Sequence, residues 1–282
     1  MAVATSRTFL ITGVSSGLGR AFAESALHVG HRVIGTVRRA ADAEAFAALV
    51  PDRAHPLVLD VTDFDAIPAA VANAERQVGV IDVLVNNAGY GHEGVLEESS
   101  IDDLQRQFSA NVFGPVAMVK AVLPGMRERR RGHIINVTSM GGFITMPGLS
   151  FYCGSKFALE GISEALGKEL ASFGIRVTAL APGQFRTDWA GRSMDRTPRT
   201  IHDYDAVMDP IRSARQAKSG KQPGDPTKAA QALLALVESE SPPVRLFLGD
   251  DALSLVEQKL KAMKVELGTW DALSRSTSFG SD

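Results

Sequence analysis

Residues 8–19 read TFLITGVSSGLG, and this short stretch decides the fold. Residues 8–12 are apolar and β-branched, which predicts a buried strand, and the helical spacing over 18–30 predicts a helix that ends at a glycine. The glycines between them permit a tight turn and close approach of a phosphate, while the helix N-terminus presents free N–H groups. Glycines also mark plain turns, but a turn between a first strand and a first helix favours dinucleotide binding. The predicted cofactor contacts in this turn are Gly13, Ser15, Ser16, Gly17, Leu18 and Gly19.

The composition is that of an ordinary globular protein, with 282 residues, of which 45% are hydrophobic and 22% charged. A net charge of −2 gives no basic footprint for nucleic acid. No segment approaches the roughly 20 consecutive apolar residues of a membrane span, and the N-terminus lacks a signal-peptide pattern. Cys153 is the single cysteine, so no intrachain disulfide can form. We therefore expect a cytoplasmic protein with a small-molecule ligand, no metal site, no nucleic-acid partner and no membrane span.

Short apolar runs alternate with longer helical patterns along the chain. Strands are predicted at 8–12, 32–37, 56–61, 81–86, 133–138, 175–180 and 245–248, and helices at 18–30, 40–49, 63–78, 100–112, 115–130, 150–173 and from about 252. This alternation implies right-handed βαβ crossovers and an α/β fold, with a mostly parallel sheet covered on both faces. The least regular segment, 187–226, is interpreted as a mobile substrate lid, with a disordered linker as the alternative.

The spacing of the glycines carries a family resemblance. It is Gly-x-x-x-Gly-x-Gly, preceded by Thr12, rather than the Gly-x-Gly-x-x-Gly of many dinucleotide folds. The sequence thereby resembles the single-domain branch of the short-chain dehydrogenases/reductases. The resemblance implies a Rossmann-type, doubly wound parallel β-sheet in a single domain over 1–282, with a cofactor and catalytic core at 5–190. The C-terminal extension, 242–282, is similar to that of 17β-hydroxysteroid dehydrogenase-like members.

Further cofactor contacts follow from the same resemblance. The Asn-Asn-Ala-Gly motif at 86–89 matches the family in full, and a plain turn is its alternative reading. Asp60 and Val61 resemble the family's adenine-binding pair, and a Pro-Gly turn follows the sixth strand. The contacts implied are Asp60, Val61, Asn87, Ala88, Gly89, Pro182, Gly183 and Thr187.

The end of the second strand predicts NADP(H) rather than NAD(H). A chain that binds NAD usually carries an acidic residue there for the ribose hydroxyls, whereas this chain reads GTVRR at 35–39. The guanidinium of Arg38 can make a bidentate contact with a 2′-phosphate. Two solvated arginines are the alternative, but a cation is poorly placed near the positive end of a helix dipole.

Tyr152 and Lys156 form the candidate catalytic pair. They lie four residues apart in a predicted helix and so share one face, although chance can also supply such a pair. Ser139 follows the buried fifth strand, which places it at the carboxyl end of the sheet, where open parallel sheets bind ligands. Together with Asn111, these residues match the family's catalytic tetrad in order and approximate spacing.

The resemblance implies hydride transfer between a nicotinamide and a carbonyl carbon, with the hydride carried by the cofactor. Tyr152 is then the acid in reduction and the base in oxidation. Lys156 holds the nicotinamide ribose and, with the oxidised nicotinamide, lowers the pKa of Tyr152, so both residues are also cofactor contacts. Ser139 donates a hydrogen bond to the carbonyl oxygen. Asn111 holds a water molecule in a proton relay through Lys156.

The expected substrate is a hydrophobic alcohol or ketone, because apolar residues dominate the segments around the predicted site. The predicted substrate contacts are His92, Glu93, Met140, Phe143 and Trp189, with surface loop positions as the alternative for His92 and Glu93. The family implies a homodimer or homotetramer assembled through 115–130 and 150–173. A redox sensor that binds NADP without catalysis is the alternative function, although a sensor needs no proton donor.

Overall fold

The computed structural model describes residues 6–279, and its central feature is one parallel sheet. The strands of this sheet are β1 (Thr8–Ile11), β2 (Arg32–Val37), β3 (Ala54–Val58), β4 (Val83–Asn86), β6 (Gly132–Val137), β7 (Ile175–Pro182) and β9 (Arg245–Leu248), whereas β5 (Gly91–Glu93) and β8 (Met194–Arg196) lie outside it. The spatial order of the seven is β3-β2-β1-β4-β6-β7-β9 within the described residues. β5 and β8 pair with each other, also in parallel. The predicted doubly wound fold is therefore confirmed.

Helices cover both faces of the sheet. In chain order they are α1 (Gly17–His28), α2 (Ala40–Ala47), α3 (Ala66–Val78), α4 (Ile101–Phe108), α5 (Gly114–Arg129), α6 (Ser150–Leu170), α7 (Asp205–Ala217), α8 (Pro226–Glu238), α9 (Asp250–Thr269) and α10 (Asp271–Arg275). Alternate residues of β1 belong to two separate hydrophobic cores, one on each face of the sheet. Phe9 and Ile11 pack with α1, α2 and α8, while Leu10 packs with α3, α5 and α6. Burial on both faces explains why the strand sequences are continuously apolar.

Several predicted boundaries of strands and helices were wrong, because strand pairing and helix capping determine where these elements begin and end. The strand predicted at 56–61 ends at Val58, because its neighbour β2 ends at Val37, which is the partner of Val58. The helix predicted at 63–78 begins only at Ala66, whose N–H donates to the Asp63 carboxylate at 3.2 Å. The helix predicted at 100–112 is regular only to Phe108 and continues as a π-helical turn, Ser109–Phe113.

The segment 187–226 is folded against the loop after β5. It contains β8 and α7, and neither α7 nor the following α8 was predicted from the sequence. The Glu98 carboxylate accepts the backbone N–H groups of Thr200 at 2.6 Å and Ile201 at 2.7 Å. The Tyr204 hydroxyl donates to Glu97 at 2.7 Å. The segment is thus docked on the body and does not have the structure of a disordered linker.

The C-terminal extension contributes to the body only at its start. Ala252 and Val256 in α9 are buried against Met140 and Ile144, which follow β6. From residue 257 to 279 every described residue is exposed. The first two turns of α9 therefore support the loop after β6, and the remainder extends away from it. No helix among residues 6–279 is both long and apolar enough to cross a membrane.

Candidate active site

A cavity of about 420 Å³ opens at the carboxyl ends of the central strands. It lies where β1 and β4 are neighbours and the chain leaves them toward opposite sides of the sheet. Such a switch point is where open α/β sheets bind ligands. The wall includes Leu18 after β1, Gly89 after β4, Ser139 after β6 and Gly183 after β7. Four separate strand ends, distant in sequence, therefore contribute to one cavity.

The glycine-rich turn after β1 is held against the turn after β4. The amide nitrogen of Asn87 donates to the carbonyls of Thr12 at 2.9 Å and Gly13 at 3.2 Å. Gly13 and Gly17 have φ values of +73° and +61°, which side chains rarely tolerate. A Cβ atom on Gly19 would overlap the Asn87 side chain and the Gly13 carbonyl. These positions therefore need glycine for backbone conformation and for close packing.

The start of α1 fits a dinucleotide phosphate. Its N-cap residue, Ser16, makes no side-chain capping hydrogen bond, and the first turn holds no acidic residue. The first N–H groups of the helix therefore keep their hydrogen-bonding capacity for an anion. At the end of β2, Asp42 pairs with Arg39 at 2.6 Å, and Arg38 is exposed beside them. Asp60, after β3, accepts from the Thr62 hydroxyl at 2.7 Å.

Ser139, Tyr152 and Lys156 come together in the wall of the cavity, with relative exposures of 8%, 5% and 6%. Tyr152 and Lys156 share one face of α6. The Lys156 ammonium donates to the Val137 carbonyl at the end of β6, at 2.9 Å, and lies 5.9 Å from the centre of the Tyr152 ring. Ser139 caps a short 3₁₀ turn, its hydroxyl accepting the Gly141 N–H at 3.0 Å. The sheet thus brings the β6 end to the helix that follows it.

Burial is the largest cause of the pKa shifts of Tyr152 and Lys156. It raises the pKa of the Tyr152 phenol above its ordinary value of 10.0, and hydrogen bonding with Ser139 offsets part of that increase. Burial also lowers the pKa of the Lys156 ammonium to about 8, against the attraction of Glu160. The predicted lowering of the Tyr152 pKa, which depends on the oxidised nicotinamide as well as on Lys156, stays a prediction. At neutral pH Tyr152 carries its proton and can donate it.

Asn111 lies beside this group but its amide has partners of its own. It sits in the π-helical turn and is 1% exposed. Its Oδ1 accepts the Tyr90 N–H at 3.2 Å, and its Nδ2 donates to the Tyr90 carbonyl and the Ser155 hydroxyl, both at 3.1 Å. A Cβ on Gly89 would approach Asn111 Oδ1 to 2.7 Å and Lys156 Nζ to 3.9 Å. The missing Cβ of Gly89 therefore leaves room for the Asn111 side chain.

The predicted substrate contacts divide into two groups. Met140 and Trp189 line the cavity, with the Trp189 ring centred 5.0 Å from that of Tyr152. His92, Glu93 and Phe143 are not among the lining residues, so the structure does not match the prediction for these three. His92 and Glu93 belong to the buried strand β5, where burial lowers the pKa of His92. Phe143 packs instead against Phe247 of β9, with ring centres 5.8 Å apart.

Helix α7, which was not predicted from the sequence, contributes to the cavity. The α7 residues in the lining are Ile211, Ala214 and Arg215, and the cavity is also lined by Tyr90, Val137, Thr138, Met146, Leu149, Gln184, Phe185, Ser193, Lys218 and Gln222. The spacing of Met208, Ile211 and Arg215 is a helical signal that could have revealed α7. Among residues 6–279, no group of three or more His, Cys, Asp or Glu side chains is placed to hold a metal ion.

Known proteins resemble this chain over most of its length. Oxidoreductase BOA17 of Botryotinia fuckeliana (strain B05.10) is 39% identical over 276 residues, covering 96% of this chain and 99% of that protein. The NADPH-dependent 3-dehydrocapnine reductase of Ornithobacterium rhinotracheale is 35% identical over 209 residues, 72% of this chain and 74% of that protein. The crystal structure of a short-chain dehydrogenase from Streptomyces avermitilis has a TM-score of 0.91 at 40% identity and covers 98% of this chain and 99% of that chain.

The doubly wound sheet, with its cavity at the switch point, and these relatives define the protein as an oxidoreductase. Residues 7–197 match the model of the short chain dehydrogenase family. The chain belongs to that family, whose members act on alcohols or carbonyl compounds with a nicotinamide cofactor.

Proposed function

We propose that this protein is an NADP(H)-dependent reductase that transfers hydride between the nicotinamide and the carbonyl carbon of a hydrophobic substrate. The observation that carries the proposal is the buried group of Ser139, Tyr152 and Lys156 in the wall of one cavity. When bound, the cofactor supplies the hydride. The protein's own residues then have to hold the carbonyl and move one proton.

Tyr152 is the proton donor in this scheme. Because burial raises the pKa of its phenol, Tyr152 is protonated at neutral pH and can donate its proton in reduction. Ser139 donates a hydrogen bond to the carbonyl oxygen, where negative charge develops. The Lys156 ammonium stabilises the phenolate that remains and contacts the ribose. Asn111, held by Tyr90 and Ser155, positions this region and completes the proton relay.

The test of this mechanism is Tyr152→Phe, compared with Tyr90→Phe in the wall of the same cavity. Loss of NADPH absorbance is followed with a panel of hydrophobic ketones, aldehydes and 3-oxoacyl thioesters. Tyr152→Phe should remove nearly all turnover and leave NADPH affinity near normal, whereas Tyr90→Phe should keep most of the turnover. Substantial activity in Tyr152→Phe would refute the donor role. Tight NADPH binding by the unaltered protein without turnover of any carbonyl would favour a redox sensor instead.

The preference for NADP(H) rests on the arginine at the end of β2. Arg39 is engaged by Asp42, which leaves the exposed Arg38 as the partner for a 2′-phosphate. A relative of this chain is named as NADPH-dependent, which supports the same choice. Arg38→Asp should raise KM for NADPH much more than KM for NADH, and Arg39→Asp serves as the matched control. Equal changes for both cofactors in Arg38→Asp would overturn the assignment.

The remaining cofactor contacts follow the course of the turns. The glycine-rich turn and the N-terminus of α1 receive the pyrophosphate. Asn87, Ala88 and Gly89 border the nicotinamide ribose, and Pro182, Gly183 and Thr187 the nicotinamide. Asp60 and Val61 border the adenine. The segment 187–226 acts as the substrate lid, because Trp189 and α7 supply one wall of the cavity.

Assembly and location complete the proposal. A homodimer or homotetramer through α5 and α6 is supported on α6 by exposed apolar side chains, with Phe157 41% and Ile162 36% exposed. Light scattering of Phe157→Glu should give a smaller assembly than the unaltered protein; an unchanged mass would count against this interface. The single, buried Cys153 suits a cytoplasmic location.

A further inference from the structure

The cavity carries three cationic side chains and no carboxylate. Among the described residues that line it, Lys156, Arg215 and Lys218 are cationic, and neither Asp nor Glu occurs. Lys156 lies deep beside β6 and is used in the proposed proton transfer. Arg215 and Lys218 lie on the lid, and that chemistry gives them no role. A wall with one sign of charge attracts a ligand of the opposite sign.

The lid presents these two cations together with an apolar surface. Ile211, Ala214, Arg215 and Lys218 line the cavity at the spacing i, i+3, i+4 and i+7, which is one face of a helix. The face extends over about 10 Å, at 1.5 Å per residue. Its first part is apolar and its second part cationic. A ligand along this face therefore meets an apolar contact first and a charged contact beyond it.

Arg215 is held in place by a buried carboxylate. Glu93 in β5 has no exposed surface, and its two oxygens accept from Arg215 and, at 2.8 Å, from Arg196. The Glu93 carboxylate thus contacts two guanidinium groups and fixes the position of Arg215. A second nitrogen of Arg215 lies 3.4 Å from the Pro147 carbonyl, next to the cavity residue Met146. Arg215 is therefore a fixed cation on the side of the cavity that faces the loop after β6.

Lys218 is the freer of the two cations. It follows α7 directly, its side chain is exposed, and among residues 6–279 it makes no ion pair. An ammonium on a flexible stem can adjust to anions of different shape, whereas a fixed guanidinium prefers a planar or tetrahedral oxyanion. The pair combines a rigid contact with an adaptable one.

We propose that the substrate is an amphiphilic carbonyl compound with a terminal anionic group, a carboxylate, sulfonate or phosphate, which Arg215 and Lys218 bind. This inference rests on the proposed function: the carbonyl lies at Ser139 and Tyr152. The apolar part of the substrate contacts Met146, Leu149 and Trp189. A phosphate of the cofactor is the other possible source of the anion. Arg215 contacts Pro147, which is next to the proposed substrate contact Met146, and this favours the substrate as the source of the anion.

The experiment compares ω-oxo fatty acids with their methyl esters over a series of chain lengths, with NADPH as the reductant. At the best length, the unaltered protein should give a kcat/KM at least tenfold higher for the acid than for the ester. Lys218→Gln should lower kcat/KM for the acid at least tenfold more than for the ester. Lys221→Gln, which removes the same charge from an exposed position that does not line the cavity, is the matched control and should leave both values unchanged.

Each outcome decides between the sources of the anion. Equal kcat/KM for acid and ester in the unaltered protein would overturn the inference while leaving the proposed function intact. A higher KM for NADPH in Lys218→Gln, equal with both substrates, would assign the lysine to a cofactor phosphate and also overturn it. If no carbonyl is reduced at all, the proposed function fails. The anion site is then still tested by calorimetry with a saturated fatty acid, which lacks the oxo group, and with its methyl ester. Equal dissociation constants for the acid and its ester would reject the anion site.

Discussion

Replacing Glu160 with glutamine should narrow the pH range in which the protein reduces carbonyls. Glu160 lies one turn after Lys156 on α6 and is 4% exposed. Its oxygens accept from the Thr138 hydroxyl at 2.6 Å and from Arg245 Nε at 2.5 Å. Its negative charge favours the ammonium form of Lys156 and so opposes the effect of burial on the pKa of that lysine. Glutamine keeps the shape of the side chain and removes the charge.

The expected shift of the Lys156 pKa is about one unit. Residues four apart on a helix have Cβ atoms about 6 Å apart, where a unit charge contributes up to about 3 kcal/mol at an effective dielectric constant of about 20. Arg245 and Thr138 already engage the carboxylate, so we expect about half of this, close to one pKa unit. The pKa of Lys156 would fall from about 8 to about 7. At pH 8 its protonated fraction then falls from about one half to about one tenth.

The assay is the pH dependence of kcat/KM for NADPH-dependent reduction, with the best carbonyl compound of the panel. Glu160→Gln should lose about fivefold at pH 8 and almost nothing at about pH 6. Glu164→Gln, on the same helix and also near Arg245 at 3.8 Å, is the control and should leave the profile unchanged. A loss that is equal at all pH values, or the same shift in the control, would refute the electrostatic role of Glu160. Thermal melts establish that each variant is folded.

Three further predictions concern stability and cofactor binding. Burial lowers the pKa of His133 to about 4, so the unfolded chain binds more protons between about pH 4 and 6.5; stability should fall by up to about 3 kcal/mol as the pH falls through that range, and His133→Gln should flatten the dependence of the urea midpoint. Gly19→Ala, whose new methyl group overlaps Asn87, should raise KM for NADPH at least about tenfold and lower the melting temperature. Ser100→Ala removes the capping box of α4 and should cost about 1 kcal/mol, or about 2 °C in melting temperature.

Matched variants make these three predictions decisive. His28→Gln, at an exposed position, should leave the pH dependence of stability unchanged, and a similar flattening there would contradict the assignment to His133. Gly161→Ala, in an open position of α6, should be neutral or stabilising by about 0.5–1 kcal/mol. A cofactor KM as high in Gly161→Ala as in Gly19→Ala would argue against the packing explanation. Ser213→Ala, in the middle of α7, is the control for the cap.

Local sequence determined the strand–turn–helix at 8–28 and the alternation of strands and helices. These features depend on backbone preferences and apolar spacing, which are properties of neighbouring residues. The same local signals placed Tyr152 and Lys156 on one helix face and Ser139 after a strand. Boundaries were less accurate. The end of β3 depends on where its partner β2 stops, and the end of α4 on a π-helical turn, and neither depends on the residues of the element alone.

Tertiary structure alone decided the surroundings of that site. Glu93 was predicted as a substrate contact, with a surface loop position as the alternative, yet it is buried because Arg196 and Arg215, more than a hundred residues later in the chain, bring opposite charges to it. Phe143 was predicted to contact the substrate, yet it packs against residues of β9 and α9 and does not line the cavity. The pKa of Tyr152 is raised because desolvation depends on everything packed around the phenol. The amino-acid sequence thus determined the fold and the candidate catalytic residues through short-range patterns, whereas long-range packing and charge pairing decided which residues line the cavity.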